Sequence, residues 1–137
     1  MSHRFSNPEV AVHSTKAATG VGTTVNVEDF QHIVVKVSAA VNSTLTFKFQ
    51  GSISDTGPDF SAAQSATNHW DYVSAYDLQD PSSVIVGDTG VSLNNDTVAN
   101  NTHLYLINTD GLRWFNISVT AYTDGSLTAA AVGFTNV

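Results

Sequence analysis

The sequence predicts an all-β protein, a two-sheet antiparallel β-sandwich of jelly-roll-like type behind an extended N-terminal arm. Three observations predict it. Apolar residues recur with a period close to two from Val25 to Phe134, the signature of strands with one buried face. Gly, Asp, Asn and Pro interrupt that pattern at short intervals, as turns require. No stretch makes a convincing long helix. A chain of 137 residues is the size of one domain with one real core.

Residues 1–22 are irregular and rich in small polar residues, with Pro8 and the run ATGVG. They read as the arm, with one short strand over Val10–His13. Phe5, Val10 and Val12 make that arm too apolar for a free tail, so it is expected to contact a partner. Residues 23–137 are expected to form the sandwich.

In the sandwich, Val25 and Val27 share a face, then Ile33, Val35 and Val37. Leu45, Phe47 and Phe49 alternate with Thr44, Thr46 and Lys48, a half-buried antiparallel strand. The run SDTGPDFSAAQSATN is a break of about fifteen residues, long enough to suggest a function or a partner. Asp59 within it can cap one helical turn.

HWDYVSAYDL resumes as one strand, with Trp70, Tyr72, Ser74 and Tyr76 on one face. SSVIVG and TGVSL are short strands, and NNDTVANN is a polar loop. THLYLIN, LRWFNISVTAY and SLTAAAVGF are joined by two TDG turns. Asp-Gly accepts the positive φ of tight hairpins, so residues 102–135 read as a three-stranded meander in which Phe115, Ile117, Val119 and Ala121 share a face. Its last strand should hold the C-terminus in a sheet.

Composition narrows the function. Only 12 % of residues are charged, against roughly 25 % in ordinary proteins. Ser, Thr, Asn and Gly take their place, giving a neutral polar surface suited to packing against neighbours. Net charge is −7 with five Lys and Arg, scattered at Arg4, Lys16, Lys36, Lys48 and Arg113. Nucleic-acid binding needs clustered cations, so no nucleic acid is expected as a partner. No apolar run reaches the roughly 18 residues of a spanning helix, and no membrane partner is expected.

The N-terminus MSHRFSNPEV has no apolar stretch, so no secretory signal is expected and synthesis should be cytoplasmic. The triplets at Asn42, Asn95, Asn100 and Asn116 then read as chance matches to a glycosylation signal.

Chemistry is sparse. Cysteine is absent, which removes disulfides, thiolate metal sites and a Cys nucleophile. His3, His13, His32, His69 and His103 form no paired ligand motif. Asp55, Asp59, Asp77, Asp80, Asp88, Asp96, Asp110 and Asp124 fall near turns, but with no EF-hand spacing. There is no G-x-S-x-G elbow, Glu occurs only at Glu9 and Glu28, and Gly20-Val-Gly22 is too short for a phosphate fingerprint. No catalytic residue, metal ligand or cofactor is assigned, and the protein is read as non-enzymatic.

Exposed aromatics of a small sandwich can stack sugars, and Trp70, Tyr72 and Tyr76 are the candidates, with Tyr105, Trp114 and Tyr122 as further rings. Alternating aromatics more often fill a core or an interface.

LTFKFQGSISDTGPDF, then ATNHWDYVSAYDLQDPSSVIVGDTG, NTDGLRWFNISVTAY and GSLTAAAVGF, succeed one another over residues 45–135. This order resembles small virion proteins of tailed bacteriophages, in particular capsid decoration (cement) proteins. The resemblance implies a mechanical role, stabilising a capsid from its outer surface, with the major capsid protein and copies of itself, favoured as a trimer, as partners. The alternatives are a carbohydrate-binding module and a tail, baseplate or connector component.

Overall fold

The computed structural model describes residues 4–6, 8–80, 82–96 and 101–136. Among them the chain forms β1 (Arg4–Ser6), β2 (Val10–Lys16), β3 (Gly20–Val21), β4 (Val25–Asn26), β5 (His32–Ala39), β6 (Ser43–Ser52), β7 (Asp71–Tyr72), β8 (Ala75–Asp77), β9 (Val84–Ile85), β10 (Val91–Asp96), β11 (Asn101–Asn108), β12 (Trp114–Asp124) and β13 (Leu127–Asn136). All pairings between these strands are antiparallel. Sheet A has the order β1-β13-β5-β11-β8-β9, with β2 also on β13; sheet B has the order β10-β6-β12-β3, with β4 on β12 and β7 on β6. The all-β, two-sheet sandwich expected from the alternation is what forms.

The core lies between the sheets and is built from the alternating residues. Sheet A contributes Ile33, Val35, Val37, Tyr105, Ile107, Leu127 and Ala129; sheet B contributes Leu45, Phe47, Phe49, Phe115, Ile117 and Val119. Phe49 is the hub of the rings, 5.8 Å from Phe47, 5.6 Å from Tyr105 and 6.2 Å from Phe115 between centroids. The Tyr105 pKa is pushed up to about 12, first by burial and then by the negative charge of Asp77, so its hydroxyl stays protonated.

Several expectations are corrected. The meander over 102–135 does not exist as a sheet. β11 pairs with β5 and β8, β12 with β6, and β13 with β5. The two TDG turns are present, with Gly111 at φ 92° and Gly125 at φ 89°, but each carries the chain from one sheet to the other. A tight turn and an alternating strand look the same in sequence whether the next strand pairs alongside or crosses the core.

The strand over 69–78 is broken for the same reason. Tyr72 sits in β7 on sheet B opposite Gln50, and Tyr76 in β8 on sheet A opposite Leu106, so they do not share a face. Register shifts in β12 between Val119 and Ala121 leave Ala121 exposed and bring Tyr122 against the core. A bulge adds one residue and inverts the facing of the residues beyond it.

The segment read as an arm belongs to the sandwich. β1 and β2 lie end to end along β13, and β3 pairs with β12. Val12 is 3 % exposed and the partly buried Val10 packs against the core, so both are engaged within the domain itself. Phe5 lies opposite Thr135 in the ladder. The broken register of β2, with shifts around Ala129, is why the segment reads as too irregular for a core strand.

His13 is part of this attachment. It is 4 % exposed, and its Nε2 lies 2.7 Å from the carbonyl of Ile117 on the other sheet; the carbonyl can only accept, so Nε2–H donates. Burial holds its pKa below the ordinary 6.5, with Lys16 adding to the effect against the raising influence of the Ile117 bond.

The long break remains irregular. Ala62 N–H donates to Asp59 C=O and Ser61 N–H to the Asp59 carboxylate, which makes a turn and not a helical turn. The loop expected over 94–101 is partly strand, because β10 runs to Asp96; residues 97–100, with Asn100, lie outside the described residues, as does His3.

Deleting residues 1–16 should cost about 3 kcal/mol or more, from the lost burial of Val12 and the lost cross-sheet bond of His13. Urea denaturation checks this; unchanged stability would mean the segment is dispensable. Because the His13 pKa is lowered on folding, the unfolded chain binds the proton more readily. Stability should therefore be full above about 6.5 and fall as pH drops through and below it. In His13→Gln the melting temperature should lose much of that slope.

Candidate functional site

Two surfaces stand out, one on the outer side of each sheet. On sheet A, residues at even positions of β5 face outward because Ile33, Val35 and Val37 face the core. The ladder then aligns Val132 with Val34, Val34 with Leu106, Leu106 with Tyr76, and Tyr76 with Val84. This is one unbroken apolar row across five strands. Directly opposed residues in an antiparallel pair have Cβ atoms about 5 Å apart, so the row is continuous.

Its far end is well exposed: Tyr76 at 48 %, Val84 at 51 %, with Leu78, Val86 and Leu104 also among the exposed large apolar residues. Two rows along, the same face is polar, with Thr128, Ser38 and Thr102 in register. An antiparallel sheet facing water is ordinarily polar outside.

On sheet B the outer face is polar and partly roofed by the segment 53–70. Asn68 organises that roof. Its Oδ1 accepts from Asp59 N–H at 2.9 Å, and its Nδ2 donates to Asp59 C=O at 2.8 Å and Ala63 C=O at 3.1 Å. Trp70 Nε1–H donates to Ala62 C=O at 3.0 Å, and Gln64 Nε2–H to Trp70 C=O at 2.7 Å.

Below, Ser52 Oγ donates to His69 C=O, Trp114 Nε1–H to Ser54 C=O, and the buried Asn116 donates to Gly22 C=O and Thr24 Oγ1. Arg113 ion-pairs with Asp55. The Asp59 carboxylate is held below its ordinary pKa by the hydroxyl and then the backbone N–H of Ser61.

The roof leaves two hollows. One, about 380 Å³, is mostly apolar and is lined by Gly51, Ile53, His69, Trp70, Val73 and Leu112, among others. The other, about 350 Å³, is more polar and is lined by Gly20, Gln50, Phe60, Trp70, Tyr72 and Ser118, among others.

Of the candidate sugar-stacking rings, Trp70 and Tyr72 come together, 5.1 Å apart and edge to face, with Phe60 6.3 Å from Trp70. Tyr76 is on the other sheet. Trp114 is tied down by its bond to Ser54, Tyr122 by donating its hydroxyl to Gly125 C=O, and Tyr105 is core. Among the described residues no three His, Asp or Glu gather as a metal site would require, and no helix is long and apolar enough to cross a membrane.

The geometry defines an antiparallel β-sandwich with an apolar row on the outer face of one sheet and a partly roofed polar outer face on the other. No family model and no curated protein matches the sequence. Among solved structures, the fold is similar to the crystal structure of the SPBc2 prophage-derived protein YomS, with a TM-score of 0.62 and 18 % identity, covering 98 % of this chain and 96 % of that one. It is also similar to the PBSX exported protein XepA, with a TM-score of 0.67 and 13 % identity, covering 96 % of this chain but 38 % of that one. At these identities the likeness is one of fold.

Asn68→Ala should remove four hydrogen-bond contacts that hold the roof. The expected loss is about 2 kcal/mol, with faster proteolysis inside 53–70 and a red-shifted Trp emission. Unchanged proteolysis would show that Asn68 is not the organiser.

Proposed function

We propose that this chain is a non-enzymatic structural protein of a bacteriophage particle, decorating and stabilising the capsid. The observation that carries this reading is the apolar row from Val132 to Val84 on the outer face of sheet A. Contiguous apolar surface beyond a few hundred Å² is uncommon on a monomer and marks interaction sites. The prophage origin of YomS and the resemblance of residues 45–135 to decoration proteins point to the same setting.

Its partners are then the major capsid protein and further copies of itself, with a trimer suited to the local threefold positions of a shell. The mechanism is burial of apolar area where shell subunits meet, at roughly 25 cal/mol per Å², repeated over many copies so that modest affinity at each suffices. No bond is made or broken, and no cofactor takes part.

The test is mass spectrometry and labelling on purified particles of the phage that encodes the chain. The expected result is a stoichiometric component on the head. With Val84→Asp and Leu104→Asp together, circular dichroism should be unchanged and incorporation should fall about tenfold or more, because charge is placed in an apolar interface. Absence from particles, or equal incorporation of the variant, overturns the reading; a position on the tail or baseplate corrects the location.

A further inference from the structure

We propose that the polar hollow on sheet B binds an anionic sugar, a polyol carrying a carboxylate or phosphate. Charge is the first observation. Five Lys and Arg face a net charge of −7. Lys36 is held by Glu9 and Arg113 by Asp55. Lys16 and Lys48 have no ion pair among the described residues, and each ammonium lies against a residue that lines this hollow.

The Lys16 ammonium lies 3.1 Å from where a Cβ on Gly20 would stand, and Gly20 lines the hollow. The Lys48 ammonium sits 4.7 Å above the Tyr72 ring, and Tyr72 lines it too. The ladder aligns Val21 with Ser118 and Ser118 with Lys48. An unpaired ammonium is strongly attracted to an anion at close range in a partly enclosed site.

The second observation is Gln50. It is 1 % exposed and lines the hollow. Its Nε2–H donates to Phe60 C=O at 3.1 Å. That carbonyl can only accept, so the amide cannot be turned round. Its Oε1 therefore faces away from Phe60 and receives no hydrogen bond from any described residue.

An unsatisfied buried acceptor costs about 1–3 kcal/mol and calls for a donor. Lysine-bound anions bring none unless they also carry hydroxyls. A sugar acid or sugar phosphate supplies both groups, and Trp70 and Phe60 offer its apolar face a wall. The Oε1 atom is covered, so binding requires a small movement of the amide or of the adjoining turn at residues 60–64.

Calorimetric titration of the intact protein at low ionic strength tests this with four probes: glucuronate, glucose 6-phosphate, glucose and inorganic phosphate. The two charged sugars should bind, with glucose and phosphate at least about tenfold weaker. The Gln50 side-chain amide and the Ser118 amide should shift together in nuclear magnetic resonance spectra.

Lys16→Gln and Lys48→Gln, both at the surface, should each weaken binding several-fold, while Val84→Asp leaves it unchanged. No binding by any probe, equal binding of phosphate alone or of glucose alone, or shifts confined to another surface would overturn the proposal. Preference for glucuronate or for glucose 6-phosphate decides which anion the lysines select. The result is independent of whether the apolar face of sheet A docks on a capsid.

Discussion

Phe49 touches Phe47 and Phe115 of its own sheet and Tyr105 of the other, and the contact with Tyr105 crosses between the two sheets. The rest of the structure depends on this cross-sheet packing, because neighbours in sequence seldom neighbour each other in a sheet. From β5 to β6, β11 to β12 and β12 to β13 the chain leaves one sheet for the other. Short-range hairpins therefore supply little of the stability. The sheets are held by facing side chains from distant parts of the chain, and His13 adds a hydrogen bond across the same interval. Such non-local topology predicts slow folding, since loop closure precedes most of the favourable contacts.

With the interior committed to joining the sheets, the outer faces are free to differ, and they do. Sheet A turns an apolar row outward on a scaffold held rigid from beneath. Sheet B keeps polar residues outward and covers part of them with the 53–70 segment. Burying Ser52, Gln50 and Asn116 there would be costly without partners. The roof supplies backbone carbonyls to Ser52 and to the Gln50 Nε2, while the 22–24 segment serves Asn116. The Gln50 Oε1 is the exception: it is buried there without a hydrogen-bond partner among the described residues.

The class of fold was legible because alternation is a local property. Ile33, Val35, Val37, Leu45, Phe47 and Phe49 face the core as their spacing says. What the spacing could not carry was pairing. Whether Gly111 closes a hairpin or an arch between sheets depends on which distant strand completes the ladder. The bulge at Val119–Ala121 adds one residue without any Gly or Pro to announce it.

The same limit hid the two surfaces. Val34, Leu106, Tyr76 and Val84 are ordinary residues in four separate segments, and only the register makes them a row. Trp70 and Tyr72 were singled out by type and do meet, but Lys16, Lys48 and Gln50 become informative only once β3, β12, β6 and β7 are laid side by side.

The borders of the sheets are the feature with the widest consequence. β1 and β2 share one side of β13, β3 and β4 one side of β12, and β7 and β10 one side of β6, while β9 ends sheet A with two residues. Among the described residues no border is a single long flat strand, and Pro8 stands between β1 and β2 with no N–H to offer. An intruding chain meets only short runs of free backbone groups there, too short to extend. Copies of this protein can thus be concentrated on a surface or in a crowded cell with little tendency to zip into amyloid-like ribbons, and any association is left to side chains, which can be specific.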